Sequence, residues 1–226
     1  KYRITNTRTK FAQLVYIKNN DLHTDFFSDP ERLDVQEAQH SILQVVYRKK
    51  GLYDEFKGGV KQIDPLIMTI DGFIISGNRR LAVLRDLVEI DSQDYDYFKT
   101  IKIVVYPYEV DSDQVRKLEA IQETDKSTKL NFDWINVAMA FSERMAAHTD
   151  PDHGYNDVLS DYANSEYITG KRRSKQISEI DMWIDASDHA LRLLASGEID
   201  EVEIINQVQV FKDWAKNSKL LKGSHI

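Results

Sequence analysis

The chain has 226 residues, of which 42% are hydrophobic and 30% charged, a composition that predicts a globular protein with one large domain or two smaller ones. It contains no cysteine, which excludes disulfides, thiol nucleophiles and thiolate metal sites and leads us to expect a reducing compartment, the cytoplasm. No apolar run approaches the roughly 20 residues that span a bilayer, so we expect no membrane partner, and the net charge of -7 requires any nucleic-acid-binding surface to be local.

The first predicted elements are a strand and a helix. The apolar run FAQLVYI at 11–17 predicts the strand, and SDPERLDVQEAQHSILQVVYRKKG at 28–51 predicts the helix. Asp29 is placed to cap this helix, Pro30 suits its first turn, and Gly51 suits its end. Its predicted apolar face consists of Val35, Ala38, Ile42 and Val45.

A hairpin and a second helix follow. PLIMTIDGFIIS at 65–76 contains two apolar runs joined at Asp71-Gly72, a dipeptide typical of a two-residue hairpin turn. The next helix places Leu81, Leu84 and Val88 on one face. A strand is predicted from IKIVVY at 101–106 and a helix from about Ser112 to Glu123. Residues 1–130 are therefore predicted to form an α+β domain with a small mixed sheet and packed helices.

The rest of the chain is predicted to be all helical. From Leu130 onward the strand signal nearly vanishes, so residues 131–226 are expected to form a second, all-α domain. Its first apolar stripe consists of Trp134, Ala138, Phe141 and Met145, and its last of Ile204, Val208, Phe211 and Ala215.

The segment SGNRRLAVL at 76–84 predicts a phosphate site. It runs from a strand through a glycine turn into a helix start, where unpaired N–H groups and the positive end of the helix dipole favour an anion. Guanidinium groups pair well with phosphate. We therefore predict phosphate binding by Gly77, Asn78, Arg79 and Arg80. Arg85 and Asp86, later on the same helix, are expected to lie on a solvated face.

The segments DPLIM, SGNRRLAVL, IKIVVY and AIQETDKSTKL, in this order, resemble the ParB family, whose nucleotide-binding domain shares a fold with sulfiredoxin. The resemblance covers about residues 10–130 and extends more weakly through a helix-turn-helix region near 155–195. It implies a ParB/sulfiredoxin-like N-terminal domain that binds a nucleoside triphosphate, typically CTP with Mg²⁺, and gates a DNA-embracing homodimer. Plasmid partition, in which a partner ATPase would take part, and defence against foreign DNA both stay open as the biological setting of this chain.

The resemblance also implies roles for individual residues. Gly77, Asn78, Arg79 and Arg80 would hold the triphosphate, although Asn78 stands where partition proteins commonly have a glutamate. Glu123 and Asp125 are the candidate magnesium ligands, because hard oxygen donors suit this ion. Glu123 is also the candidate catalytic residue for slow nucleotide hydrolysis. Thr124 replaces the asparagine that helps to hold the metal in the family.

A local basic helix start predicts DNA binding. Residues 156–194 contain a first helix, a turn at Thr169-Gly170 and a second helix that opens with basic residues. Helix-turn-helix proteins place the start of the second helix in the major groove, and glutamine can read adenine. The predicted DNA contacts are Lys171, Arg172, Arg173, Lys175 and Gln176, whereas Ile177, Ile180 and Ile184 are expected to face the core.

The leading hypothesis is a nucleotide-responsive DNA-binding protein of ParB type. One alternative is a metal-dependent DNA nuclease whose arginines grip a DNA phosphate, and another is a small-molecule kinase on the same fold. A DNA adaptor with a vestigial nucleotide pocket is the last. The sulfiredoxin reaction itself is excluded, because it needs a cysteine and the chain has none.

Overall fold

The computed structural model describes residues 1–48, 51–62, 64–106, 109–111, 113–118, 133–162 and 165–223. The chain divides into two compact units, Lys1–Glu119 and Ala120–Ile226. The predicted domain boundary between residues 130 and 131 stays a prediction, because it falls within 119–132, outside the described residues.

The described residues of the first unit combine α-helices with a small sheet, so the predicted α+β class is confirmed. The helices are α1 (Lys10–Asn19), α2 (Leu33–Arg48), α3 (Leu52–Lys57) and α4 (Asn78–Ile90), and residues 113–118 are also helical. The strands are β1 (Leu66–Met68), β2 (Ile74–Ser76) and β3 (Ile103–Val105). Their order is β2-β1-β3, with β1 antiparallel to β2 and parallel to β3. The sheet is therefore mixed, as predicted.

The strand predicted at 11–17 is wrong, because these residues belong to α1. Phe11 and Val15, four residues apart, are buried on one helical face, while Leu14 is 39% exposed. Gln13 is buried as well, and its side-chain amide donates to the Ile4 carbonyl at 2.7 Å and to Gln39 Oε1 at 2.8 Å. A short apolar run fits either element, and here the tertiary partners select the helix.

Helix α2 begins later than predicted. It starts at Leu33, and the Asp29 carboxylate accepts the Glu31 N–H at 3.0 Å in the preceding turn instead of capping the helix. Val45, predicted on the apolar face, is 53% exposed. The buried face rotates away from it along the helix and continues through Gln39, Leu43 and Tyr47.

The hairpin between β1 and β2 is confirmed, but its turn is displaced by one residue. Gly72 N–H donates to the Thr69 carbonyl at 3.0 Å, and Thr69 N–H donates to the Phe73 carbonyl at 2.8 Å. The loop therefore centres on Ile70 and Asp71, with Gly72 next in a left-handed conformation (φ 91°). This is a three-residue hairpin loop, whose left-handed last position favours glycine.

The core of the first unit lies between the sheet and its helices. Leu66 and Ile74 contribute from the sheet, and Leu81, Leu84 and Leu87 contribute from α4. The predicted face of α4 is thus confirmed. It places the start of this helix directly beside β1.

The second unit is formed by α5 (Trp134–Ala146), α6 (Pro151–Tyr162), α7 (Arg173–Ser196), α8 (Glu201–Asn206) and α9 (Val208–Gly223). Its described residues contain no strand. The last predicted stripe is divided between α8 and α9, because the backbone leaves the helical conformation at Gln207; α8 itself starts at a capping box formed by Asp200 and Glu203. Among the helices that the structure describes, none is long and apolar enough to cross a membrane.

Aromatic contacts join the helices of the second unit. The Trp134 ring of α5 lies 6.0 Å from that of Trp183 on α7 and 5.5 Å from that of Phe211 on α9, measured between centroids. Trp134 Nε1 also donates to the Ile204 carbonyl at 2.9 Å. Helices α5, α7 and α9 therefore share one core, which fixes the start of α7 relative to its neighbours.

Candidate functional site

The basic cluster, defined as Lys171, Arg172, Arg173 and Lys175, lies at the start of α7. All four side chains are exposed. Helix α7 begins at Arg173 with Arg172 in an extended conformation at its N-cap, so Lys171 and Arg172 precede the helix instead of opening it. Gln176, the fifth predicted DNA contact, is half-buried in the first turns.

The side chain of Arg173 links two helices. Its Nη1 donates to Asn156 Oδ1 at 2.8 Å, and its Nη2 lies 3.7 Å from Asp152 Oδ1, both on α6. Such exposed pairs are weak. Within the described part of the chain, Lys171, Arg172 and Lys175 have no ion-pair partner. These three cations are thus the members of the basic cluster most accessible to an anion.

The connection between α6 and α7 is long but held in place from α7. Its described part alone, residues 165–172, exceeds the roughly three or four residues of a standard helix-turn-helix turn. Trp183 Nε1 donates to the Tyr167 carbonyl at 2.9 Å. Ile180 is buried as predicted, while Ile177 and Ile184 are only half-buried. The two helices follow each other as predicted, although the turn between them is not the standard one.

Glu179 holds the end of this connection. Its carboxylate accepts the N–H groups of Thr169 and Gly170 at 2.9 and 2.8 Å and the Thr169 hydroxyl at 2.9 Å. A β-carbon at Gly170 would lie 3.0 Å from Lys175 Cγ and 3.1 Å from the Gln176 nitrogen, so glycine permits this close approach. This role of Glu179 cannot be read from the sequence, in which the residue is only a carboxylate one turn after the cations.

The phosphate motif lies at the start of α4, where the structure brings its four residues together. Gly77 is left-handed (φ 99°) at the N-cap and provides no side-chain cap. A β-carbon there would lie 2.3 Å from Leu66 Cδ2. Asn78 is 3% exposed; its side-chain amide donates to the Ile74 carbonyl at 2.9 Å, and its Oδ1 accepts the Arg3 N–H at 3.2 Å. Asn78 therefore supports the fold.

The two arginines of the motif differ. Arg80 Nη1 donates to the Asp64 carbonyl at 2.7 Å, and Nη2 donates to the Pro65 carbonyl at 3.5 Å. Burial lowers the pKa of the Arg80 guanidinium, while the nearby Asp64 carboxylate opposes that shift. Arg80 thus stabilises the backbone that leads into β1. Arg79 is half-buried on the same turn.

The predicted metal ligands and catalytic candidate, Glu123 and Asp125, lie outside the described residues. Across the ranges that the structure describes, no group of three or more histidine, aspartate or glutamate side chains could hold a metal ion.

Asp86 is not solvated, so that expectation is wrong. It is 5% exposed, and its carboxylate lies 2.7 Å from His40 Nε2 and accepts hydrogen bonds from Gln44 Nε2 at 3.0 Å and from the Tyr47 hydroxyl. The other ring nitrogen of His40, Nδ1, lies 2.6 Å from the Tyr2 hydroxyl. Burial raises the pKa of Tyr2 to about 12.

This tyrosine, histidine and aspartate chain resembles a catalytic relay only in its order of groups. Tyr2 is 1% exposed, so no substrate reaches its hydroxyl. The hydrogen bonds of this network instead connect Tyr2 to α2 and α4 and provide partners for the buried polar groups of both helices. Arg85 is exposed, as predicted, and its guanidinium carbon lies 4.8 Å from the Tyr2 ring centroid.

No protein-family model, curated protein or solved structure matches this chain.

Proposed function

We propose that the chain is a ParB-type DNA-binding protein of the cytoplasm. Its second unit contacts double-stranded DNA through the start of α7. Its first unit binds a nucleoside triphosphate, CTP with Mg²⁺, at the start of α4, and the bound nucleotide gates DNA binding by a homodimer. The resemblance to the ParB family supplies the nucleotide and the dimer, and the exposed basic cluster supports the DNA contact.

The observation that carries the proposal is the exposure of Lys171, Arg172 and Lys175 at the N-terminal end of a 24-residue helix. Phosphate contacts from such cations supply most of the sequence-independent affinity for DNA. The positive end of the helix dipole adds to their attraction for phosphate within the first turn. Sequence preference would come from Gln176 or from the exposed Ser174, both on this end of α7.

The nucleotide part of the proposal uses backbone groups and Arg79. The first turn of α4 has N–H groups without a side-chain cap, and these groups can receive phosphate oxygens. Asn78 and Arg80 hold this turn in place through their bonds to the carbonyls of Ile74 and Asp64. Magnesium, when bound, would neutralise phosphate charge, with Glu123 and Asp125 as the proposed ligands.

Fluorescence anisotropy with a labelled DNA duplex tests the DNA contact. Removing one phosphate contact reduces the magnitude of the negative slope of log K against log salt concentration by about 0.9. Arg172→Gln should therefore bind DNA more weakly and with a shallower slope. Arg192→Gln, which removes an exposed cation far along the same helix, is the matched control and should leave the slope unchanged. A wild-type chain that binds no DNA, or an unaltered slope in Arg172→Gln, would refute the proposed contact.

Isothermal titration with CTP, ATP, GTP and UTP, with and without Mg²⁺, tests the nucleotide contact. Arg79→Ala should abolish binding. Repeating the DNA measurement with saturating nucleotide tests gating, and light scattering tests the homodimer. An Arg79→Ala variant with wild-type nucleotide affinity would remove the phosphate motif from the proposal.

The bonds of Asn78 and Arg80 favour a second candidate function. Both side chains are committed to backbone groups of the first unit, as a purely structural motif would require. In this case the chain is a DNA adaptor with no nucleotide site. DNA binding that responds to Arg172→Gln, together with no heat of binding for any of the four nucleotides, would select this candidate.

A further inference from the structure

A groove with basic walls lies between α7 and α9 in the second unit. Its volume is about 530 Å³. It is lined by Lys175, Ser178, Glu179 and Met182 from α7 and by Lys212, Ala215 and Lys216 from α9. Met182 and Ala215 are buried and form its apolar floor. We call this feature the lysine groove.

The charge of the lysine groove is positive. Its lining contains three ammonium groups and one carboxylate. That carboxylate, Glu179, accepts hydrogen bonds from the N–H groups of Thr169 and Gly170 before α7. Lys212 and Lys216 are four residues apart and therefore share one face of α9. The Lys212 ammonium lies 4.8 Å from the Trp183 ring centroid, and Lys216 Nζ lies 4.0 Å from Asp213 Oδ1.

The lysine groove continues the proposed DNA-binding surface. Lys175 belongs both to the basic cluster and to the wall of the groove. The cations at the start of α7 and those on α9 therefore form one continuous basic region, on a chain whose net charge is -7. Such local accumulation of one charge sign marks the path of a polyanion.

We infer that the lysine groove holds a stretch of the sugar-phosphate backbone of the DNA that the start of α7 contacts. This inference rests on the proposed DNA binding. Ammonium groups act as point charges that position a phosphate without the planar fit of arginine, and backbone contacts of this kind fix the register of a protein on the duplex. Lys212 and Lys216 are the positioning cations, and Lys175 connects them to the basic cluster.

The salt dependence of DNA binding tests this inference. Lys212→Gln and Lys216→Gln should each reduce the magnitude of the slope of log K against log salt concentration by about 0.9, and the double variant should reduce it by about 1.8. Each substitution should then reduce the loss of affinity between about 50 and 200 mM salt by about 3.5-fold. Lys212→Arg, which keeps the charge, should keep the slope, as should Arg192→Gln. Thermal unfolding by circular dichroism checks that each variant is folded.

The outcomes separate this inference from the proposed function. If Arg172→Gln lowers the slope and the folded Lys212 and Lys216 variants do not, the groove contact is overturned and the DNA-binding function stands. If the wild-type chain binds no DNA, both fall. If a labelled polyglutamate peptide binds the wild type and not the double variant, while the DNA slope is unaltered, the groove serves an acidic protein partner and the inference is overturned.

Discussion

Replacing Glu179 tests how the connection before α7 supports DNA binding. Glu179→Ala removes the acceptor of three hydrogen bonds, two from the N–H groups of Thr169 and Gly170 and one from the Thr169 hydroxyl. Lys171 and Arg172 follow directly after these residues. Without the carboxylate, the backbone just before both cations loses these three bonds to α7, although the bond from Trp183 Nε1 to the Tyr167 carbonyl remains.

Two effects of opposite sign follow, and their magnitudes decide the result. Three partly exposed hydrogen bonds contribute about 0.5–1 kcal/mol each, or roughly 1.5–3 kcal/mol together. If DNA must restore this order, affinity falls roughly 10- to 150-fold. Glu179 lines the lysine groove, so removing its negative charge about 5 Å from a bound phosphate gains about 0.8 kcal/mol in water. The loss of order therefore dominates, and Glu179→Ala should bind DNA more weakly.

Glu179→Gln separates the two effects. Glutamine keeps an oxygen that can accept from Thr169 or Gly170 but has no charge, so this variant should bind DNA at least as tightly as the wild type. Anisotropy at one fixed salt concentration measures both variants. If Glu179→Ala binds as well as Glu179→Gln, the carboxylate acts only through its charge, and the supporting role argued from its hydrogen bonds is refuted.

Two further predictions concern the stability of the first unit, measured by denaturant unfolding followed by far-UV circular dichroism. Asp86→Ala should lower the free energy of unfolding by about 3–5 kcal/mol, because it leaves buried donors without their acceptor. Glu89→Ala, at an exposed position on the same helix, should change it by less than about 0.5 kcal/mol. Equal effects of the two substitutions would contradict the hydrogen-bond network around Asp86. Gly77→Ala should lower the free energy of unfolding by about 2–4 kcal/mol, because of the positive φ and the overlap with Leu66. Gly72→Ala has a positive φ but meets no atom within 4 Å, so it should lower it by only about 1–2 kcal/mol. A loss for Gly77→Ala no larger than that for Gly72→Ala would show that the overlap with Leu66 adds nothing.

The helices with long apolar stripes could be predicted from sequence, and the shorter elements could not be assigned equally well. Helix α4 was located through Leu81 and Leu84, because a 3.6-residue period is unambiguous over several turns. The run at 11–17 was misassigned because seven residues fit both periods. The hairpin was found, but Asp71-Gly72 alone does not distinguish a two-residue turn from a three-residue loop that ends at the glycine.

The site was predictable only where it depends on local sequence. The exposure of Lys171 and Arg172 follows from their position before a helix in a polar stretch. The burial of Asp86 does not, because it depends on His40 and Tyr47, which are 46 and 39 residues earlier in the chain. The lysine groove likewise pairs Lys175 with lysines on a separate helix, a proximity that no local pattern encodes.

The acidic chain and the proposed DNA contact are compatible because of screening. At 1.5 Å per residue, Asp185 and Asp188 lie roughly 15–20 Å along α7 from Lys175. Exposed charges are largely screened beyond a Debye length, which is about 8 Å at physiological ionic strength. A phosphate at the start of α7 therefore experiences the six cations of the basic cluster and the lysine groove, opposed by the three nearby carboxylates of Asp152, Glu179 and Asp213. In the proposed DNA complex, the net charge of -7 would disfavour nonspecific DNA contacts elsewhere on the surface.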